Sequence, residues 1–138
     1  MKTDISIKNI TIAAINRSGS DLENWQYSKI ITDIQSLEFP LANEELPIFQ
    51  IKTPKAQTLV TTRRIIEKSE SDFISLDFDE LDGVVFGDFK KQMNKPEISI
   101  FRTTDIYGEE LNFQMETGKA SIGLITTINT VKKLRASG

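Results

Sequence analysis

The chain has 138 residues, of which 38% are hydrophobic and 27% charged, and its formal net charge at pH 7 is −3. This composition is typical of a globular protein and excludes the apolar-poor, highly charged composition of disordered chains. The small negative charge provides no broad positive field for nucleic acid, so no nucleic-acid partner is expected.

Histidine and cysteine are both absent from the sequence. Their absence removes the commonest general base, the commonest zinc ligands and the Ser-His and Cys-His nucleophile pairs. A catalyst would have to use Asp, Glu, Lys or Tyr, so the chain is not expected to be an enzyme or to need a cofactor or metal. A chain without disulfides is also less typical of small secreted scaffolds, and the cytoplasm is the expected location.

Long apolar runs are missing as well, and the N-terminus carries Asp4, Lys8 and Asn9 among its apolar residues. Neither a membrane span nor a signal peptide is therefore expected. No internal repeat and no linker rich in Pro, Gly or Ser divides the chain. A single domain over residues 1–138 is predicted.

The N-terminal region, residues 1–40, is predicted to form a strand and then a helix. Over residues 5–15 the sequence ISIKNITIAAI alternates in two registers, Ile5 with Ile7 and then Ile10 with Ile12. Alternation of this kind favours a strand.

The predicted helix begins after the sequence SDLE at 20–23, which has the pattern of a capping box. It runs from about residue 21 to residue 37. A strand is the alternative over this stretch, because Trp25, Tyr27 and Ile31 lie at even spacings.

After residue 45 the pattern becomes that of an antiparallel sheet. Short runs rich in Ile, Val, Phe and Thr are separated by polar turns, which is typical of consecutive strands. Between the last two runs the sequence DIYG predicts a hairpin, with Gly108 supplying the backbone freedom of the turn. The predicted strands cover residues 48–52, 57–68, 73–78, 83–89, 97–104 and 109–115.

The last segment, residues 120–136, has a helical period. Leu124, Ile128 and Val131 fall at i, i+4 and i+7, and basic residues occupy the last turn. A sheet face and a helix stripe must both be buried. The predicted fold class is therefore α+β: a bent antiparallel sheet or partly open β-barrel, capped by the C-terminal amphipathic helix, with an extra N-terminal strand and helix.

The sequence TLVTTRRII at 58–66 resembles a strand of bacterial pleckstrin-homology-like (PH-like) domains. In that strand an apolar pair precedes a T-x-x-R-I/L core, here Thr61, Arg64 and Ile65. The order of strands and the closing helix are also similar, and the resemblance covers residues 45–135 as a PH-like core. It implies a binding or assembly module that tends to form homo-oligomers.

The candidate binding residues are Arg63 and Arg64 with the lysines of the loop KKQMNKP, Lys90, Lys91 and Lys95. In a single strand over 57–68 the two arginines would face opposite sides. The outward arginine could join the loop lysines in gripping phosphate or carboxylate, and the inward one would pair with a carboxylate. A solvated loop is the alternative for the three lysines.

Two other groups of residues invite a functional interpretation. The acidic run Asp77, Asp79, Glu80 and Asp82 departs from the calcium-loop pattern, so a solvated turn anchored by its apolar neighbours is expected. Most of the aromatic residues are expected to lie in the core rather than on a ligand surface. The aromatics considered for such a surface are Trp25, Phe39, Phe49 and Tyr107.

Three functions remain as hypotheses. The leading one is a non-catalytic module that recognises a protein partner or itself. The second is a small barrel-like enzyme that uses Asp and Glu in a pocket as acid and base. The third is a module that binds the surface of anionic membranes.

Overall fold

The computed structural model describes residues 3–19, 24–32, 40–86 and 98–136. These residues form two helices and eight strands, and a 3-10 turn at Phe78–Glu80 joins the fifth strand to the sixth. The elements are α1 (Asp4–Arg17), β1 (Ser28–Ile30), β2 (Pro47–Lys52), β3 (Ala56–Thr61), β4 (Arg64–Ser69), β5 (Phe73–Asp77), β6 (Leu81–Phe86), β7 (Ile98–Asp105), β8 (Glu110–Glu116) and α2 (Lys119–Ala136).

The strands form two antiparallel sheets. The larger has the order β1-β2-β3-β4-β5 and the smaller the order β6-β7-β8. They do not close into one barrel, and α2 packs on β2, β8 and the 3-10 turn. The predicted α+β class, with a bent, open antiparallel arrangement and a C-terminal helix, is confirmed.

The predicted N-terminal strand is wrong, because Asp4–Arg17 is the helix α1. The Thr3 hydroxyl accepts a hydrogen bond from the Ser6 N–H at 3.1 Å and caps the helix. Buried residues recur at Ile7, Thr11 and Ile15, a spacing of four that fits one helical face. Of the isoleucines that suggested a strand here, Ile7 is buried and Ile12 packs partly buried against the core, whereas Ile5 and Ile10 are exposed. Helix α1 packs against α2 and β2.

The predicted helix at 21–37 is wrong where the structure describes it, since Ser28–Ile30 is strand β1 and pairs with β2. A distant residue holds this segment extended. The Glu116 carboxylate accepts hydrogen bonds from the N–H groups of Gln26 at 2.8 Å and Tyr27 at 2.7 Å, and from the Ser28 hydroxyl at 2.9 Å. The SDLE capping box and residues 33–37 lie outside the described residues.

The predicted single strand at 57–68 is wrong, because it is the hairpin of β3 and β4 with a turn at Thr62 and Arg63. The Thr61 hydroxyl stabilises this turn by accepting from the N–H groups of Arg63 and Arg64, both at 3.0 Å. Threonine and serine hydroxyls commonly bond nearby main chain in this way. The polar TTRR segment is thus the break between two apolar strands.

The main core lies between the two sheets and against the helices. Within it Phe101 stacks on Phe113 with ring centroids 5.4 Å apart, and the partly buried Phe86 packs against this pair, 5.6 Å from Phe101. A smaller cluster of Ile31, Leu59, Ile66 and Leu41 covers the other face of the larger sheet, as alternation along β3 and β4 requires. The main core also contains Ile7, Ile15, Phe49, Val60, Ile65, Met115, Leu124, Ile128 and Val131.

One buried hydroxyl in α1 has no partner within the described part of the chain. Thr11 is fully buried, and its Oγ1 makes no hydrogen bond there.

We expect Thr11→Val to raise the free energy of unfolding by about 1 kcal/mol, because an unsatisfied buried polar group costs about 1–3 kcal/mol. Valine and threonine have similar helix propensities. Urea unfolding measures the change, with Thr11→Ser as the control that keeps the hydroxyl and should destabilise. A destabilised valine variant would contradict the prediction.

Candidate functional site

A concavity of about 310 Å³ lies beside the β3–β4 turn, and we call it the arginine cup. It collects side chains from the segment before β2, the turn, the end of β5, the 3-10 turn and the end of α2. Its lining residues are Ala42, Glu45, Arg63, Arg64, Asp77, Asp79 and Arg135.

The most buried charge of the arginine cup is Glu45, whose side chain is 1% exposed. Arg64 binds it with two nitrogens, Nε to Oε2 at 3.0 Å and an Nη to Oε1 at 3.2 Å. The Thr61 hydroxyl and the Ala42 N–H donate to the same carboxylate at 2.6 and 2.9 Å. Arg64 also donates to the Pro40 carbonyl at 2.9 Å. This pair therefore ties the chain before β2 to the turn.

The other two arginines make similar two-pronged contacts. Arg63 donates to both carboxylate oxygens of Asp4 at 3.1 and 3.0 Å, and Arg135 donates to both oxygens of Asp79 at 3.1 and 2.8 Å. Arg135 also donates to the Thr62 carbonyl at 3.1 Å. These contacts hold α1 and the end of α2 against the turn.

The arginine cup is charge-balanced, with three arginines and three carboxylates in its lining. The single strand on which Arg63 and Arg64 would face opposite sides does not form, and both arginines line the arginine cup. The predicted pairing of one arginine with a carboxylate is met by both, with Asp4 for Arg63 and with the buried Glu45 for Arg64. Lys90, Lys91 and Lys95 lie outside the described residues, so their convergence with the arginines stays a prediction. What the described contacts support is a stabilising role for the two arginines.

The ion pairs also shift the pKa values of the carboxyl groups. The hydrogen bond from Arg63 is the main cause of a lowered pKa for Asp4, and the bond from Arg135 is the main cause for Asp79. For Glu45 burial acts to raise the pKa, but hydrogen bonds from Arg64, Thr61 and Ala42 together outweigh it and the pKa is lowered. All three carboxyls are therefore held ionised at neutral pH.

The lowered pKa values predict acid sensitivity. A carboxyl with a lower pKa in the folded state stabilises the fold when ionised, and loses this contribution as pH falls through the folded pKa. We expect the free energy of unfolding to be nearly constant from about pH 7 to 5 and to fall below about pH 4.5. Urea unfolding across this range measures it. Asp79→Asn should make the fall in the free energy of unfolding with decreasing pH shallower. An unchanged pH dependence would contradict the assignment of this acid sensitivity to the paired carboxyls.

The acidic run at residues 77–82 forms a turn that is anchored by its apolar neighbours, as expected. Phe78 and Leu81 are buried, which confirms that apolar residues anchor the turn. Asp79 pairs with Arg135, and the Asp82 carbonyl accepts from Lys132 Nζ at 2.9 Å. Within residues 3–19, 24–32, 40–86 and 98–136, no group of three or more acidic side chains is placed to hold a metal ion.

A second concavity, of about 430 Å³, lies along β8, and we call it the β8 groove. One wall is formed by β7 and β8, and the other by the ends of β3 and β4. Apolar side chains, amides and hydroxyls are mixed in its lining. The lining residues are Lys55, Ala56, Glu67, Ser69, Ile98, Ser99, Ile100, Asn112, Phe113 and Gln114.

In the described residues β8 is an edge strand, bonded only to β7. The Asp105 N–H donates to the Glu109 carbonyl at 2.9 Å, which makes these two residues a hydrogen-bonded pair. Such pairs recur at every second residue of an antiparallel ladder, so the odd-numbered residues of β8 are the ones that bond β7. The main chain of Glu110, Asn112 and Gln114 points off the free edge. The Gln114 N–H confirms this direction, because it donates to the Glu67 carboxylate at 2.7 Å.

Unexpected apolar exposure flanks the β8 groove. Val85, Ile98 and Ile100 are 60%, 40% and 57% exposed on the outer face of the smaller sheet. Phe101, the next residue after Ile100 in β7, points the other way and is buried, as alternation requires. The strand pattern EISIF alone could have indicated this surface, since it places β-type apolar residues on both faces.

The aromatic residues mostly lie in the core as expected. Phe49 is buried, with the Trp25 ring 5.2 Å away, whereas Tyr107 is 73% exposed and is an exception. Phe39 lies outside the described residues.

Neither helix of the described residues combines the length and hydrophobicity needed to cross a bilayer. No protein-family model, no curated protein and no solved structure matches the chain. The resemblance to PH-like domains therefore stays a prediction, and the site must be interpreted from its own geometry.

Proposed function

We propose that this chain is a non-catalytic binding module that takes an extended segment of a partner protein at the free edge of β8. The observation that carries the proposal is the main chain of Glu110, Asn112 and Gln114, which points off the edge beside the β8 groove. Addition of a strand to an exposed sheet edge is a recurrent mode of peptide recognition.

The lining of the β8 groove suits an extended peptide. Side chains of a strand alternate, so one set would lie on the outer face of the smaller sheet beside Asn112 while the main chain pairs with β8. The fixed amide of Gln114 already bonds the carbonyls of Ile51 and Ala56 at 3.2 and 3.1 Å. These bonds close one end of the groove, which leaves Glu110 and Asn112 as the accessible part of the edge.

A short segment fits the surface better than a second copy of the chain. A stable interface between folded proteins buries about 800 Å² on each partner. Three partly exposed side chains, Val85, Ile98 and Ile100, offer much less apolar area. Gel filtration at several concentrations tests self-association, and a dimer that persists on dilution would favour the second copy.

The arginine cup gives little support to the enzyme hypothesis. A general acid needs a carboxyl with a raised pKa, and arginines occupy Glu45 and Asp79 and help to keep their pKa values low. The hypothesis of a membrane-surface module gains no support from Arg63 and Arg64, because both are paired with carboxylates. Flotation with anionic liposomes tests that hypothesis directly.

The edge proposal is tested by proline substitution at Asn112. Peptides are first selected from a phage-displayed random twelve-residue library on the immobilised full chain, and the affinity of a selected synthetic peptide is measured by fluorescence anisotropy. We expect Asn112→Pro to weaken binding by at least about tenfold, because proline lacks the outward N–H that pairs with the peptide. Asn112→Ala keeps this N–H and should bind nearly as the wild type does.

Proline at this position removes no hydrogen bond to β7, so the fold should persist, and circular dichroism checks it. If this proline variant does not fold, Glu110→Pro provides the second test, because the Glu110 N–H also points off the edge and makes no bond to β7. Failure of the library to yield binders, or equal binding by wild type and the folded variants, would overturn the proposed function.

A further inference from the structure

The β7–β8 hairpin ends in a tip, residues 105–110, that exposes two large side chains. Ile106 is 57% exposed and Tyr107 is 73% exposed. Turns of this kind usually carry Gly, Asn, Asp or Ser, for reasons of backbone geometry and solvation. The tip adjoins the accessible part of the β8 edge, because Glu110 belongs to both.

Hydrogen bonds fix the conformation of the tip. The Asp105 carboxylate accepts from the N–H groups of Tyr107 at 2.9 Å and Glu109 at 3.0 Å. Gly108, with φ of 85°, donates to the Asp105 carbonyl at 3.0 Å. The Ile106 N–H donates to the Glu80 carbonyl at 2.8 Å and anchors the tip to the 3-10 turn. The main chain that presents the Tyr107 ring is thus held in place before a partner arrives, which lowers the entropy cost of binding.

The charge of the tip is negative throughout. Asp105, Glu109 and Glu110 are its only charged residues, three acids and no base. The nearest described ion pair, Arg102 with Glu110, has an N to O distance of 4.0 Å, and both side chains are more than half exposed. Such a pair is weak in water. An exposed tyrosine ring among carboxylates attracts lysine or arginine through the ring face and through charge-assisted hydrogen bonds.

We infer that the segment bound at β8 carries a lysine or arginine where it passes the tip. This inference rests on the proposed function. Glu110 and Asn112 form the accessible part of the edge, and Glu110 also belongs to the tip. The residue of the segment that pairs next to Glu110 is therefore the one within reach of the tip.

The acidic tip also argues against a lipid as the occupant. Anionic headgroups attract basic protein segments, and three carboxylates at the point of contact would be repelled. A cationic protein segment is complementary to the same surface.

The test uses the same random peptide library on the full chain. Selected peptides should be enriched in Lys or Arg. Replacing that Lys or Arg by methionine in a selected peptide should weaken binding to the wild type by about tenfold. The replacement should have little effect on binding to a Tyr107→Ser, Glu110→Gln double variant. Both changes lie on exposed side chains, so the fold should be retained.

The outcomes separate the two proposals. Selected peptides without basic enrichment, or an equal cost of the methionine replacement in wild type and double variant, would overturn this inference and leave the proposed function standing. A library that yields no binders would overturn both. Flotation with phosphatidylserine vesicles that is lost in Tyr107→Ser would overturn the inference in favour of a lipid.

Discussion

Replacement of Arg64 by methionine is expected to lower the free energy of unfolding at pH 7 by about 3 kcal/mol, because it leaves a buried carboxylate without its partner. The carboxylate is Glu45, whose side chain is 1% exposed, while Arg64 is itself 24% exposed. Methionine keeps much of the apolar stem of arginine and its packing. The loss of stability therefore comes mainly from removal of the positive charge. The bonds from Thr61 and Ala42 remain and limit the damage.

The neighbouring arginine provides the matched control. Arg63 and its partner Asp4 are 36% and 13% exposed, more than Arg64 and Glu45, and the Thr62 hydroxyl still donates to Asp4 when the arginine is removed. Arg63→Met should therefore cost about 1 kcal/mol or less. Urea unfolding of both variants at pH 7 measures the difference. Adding Glu45→Gln to Arg64→Met should recover part of the loss, since it removes the stranded charge. Equal effects of Arg63→Met and Arg64→Met would contradict the assignment of Glu45 as the critical buried partner.

Alanine at Gly123 is expected to destabilise the fold by up to about 2 kcal/mol, because overpacking a core usually costs about 1–3 kcal/mol and the gain in helix propensity offsets only about 1 kcal/mol of it. A Cβ at this position of α2 would lie 2.6 Å from two ring carbons of Trp25 and 3.3 Å from a ring carbon of Phe49. The Trp25 ring packs on Phe49, so it has little room to move aside.

Fluorescence gives this variant a direct readout, because the chain has one tryptophan. A shifted emission spectrum together with a lower urea midpoint is the expected result for Gly123→Ala. Gly83→Ala is the control, since a Cβ there meets nothing within 4 Å and the backbone has no positive φ. Gly83→Ala should change stability little. A stabilised Gly123→Ala variant with unchanged fluorescence would show that the ring is not tightly packed.

If both expectations hold, the β3–β4 turn and the contact of α2 with Trp25 are the parts of the fold most sensitive to single changes. The arginine cup would then be established as a structural network. The accessible part of the β8 edge and its tip would remain as a surface available for binding.

Much of the sheet and the C-terminal helix follows from the sequence, because these elements repeat local patterns. Leu124, Ile128 and Val131 are buried on one face of α2, as their spacing predicts. The DIYG hairpin forms with Gly108 at positive φ. Alternation and helical period act over a few residues, so they can be detected without knowledge of distant contacts.

The roles of the N-terminal region and of the paired arginines were decided by the tertiary structure. Residues 28–30 form a strand because they pair with β2 and because Glu116, about ninety positions away, binds the main chain just before them. Arg63 and Arg64 bind carboxylates 59 and 19 positions away. The free edge of β8 likewise exists only because no described strand pairs beyond it. A local sequence pattern carries no information about which distant residues come into contact. In this protein such contacts determine the structure of the N-terminal region and the location of the candidate site.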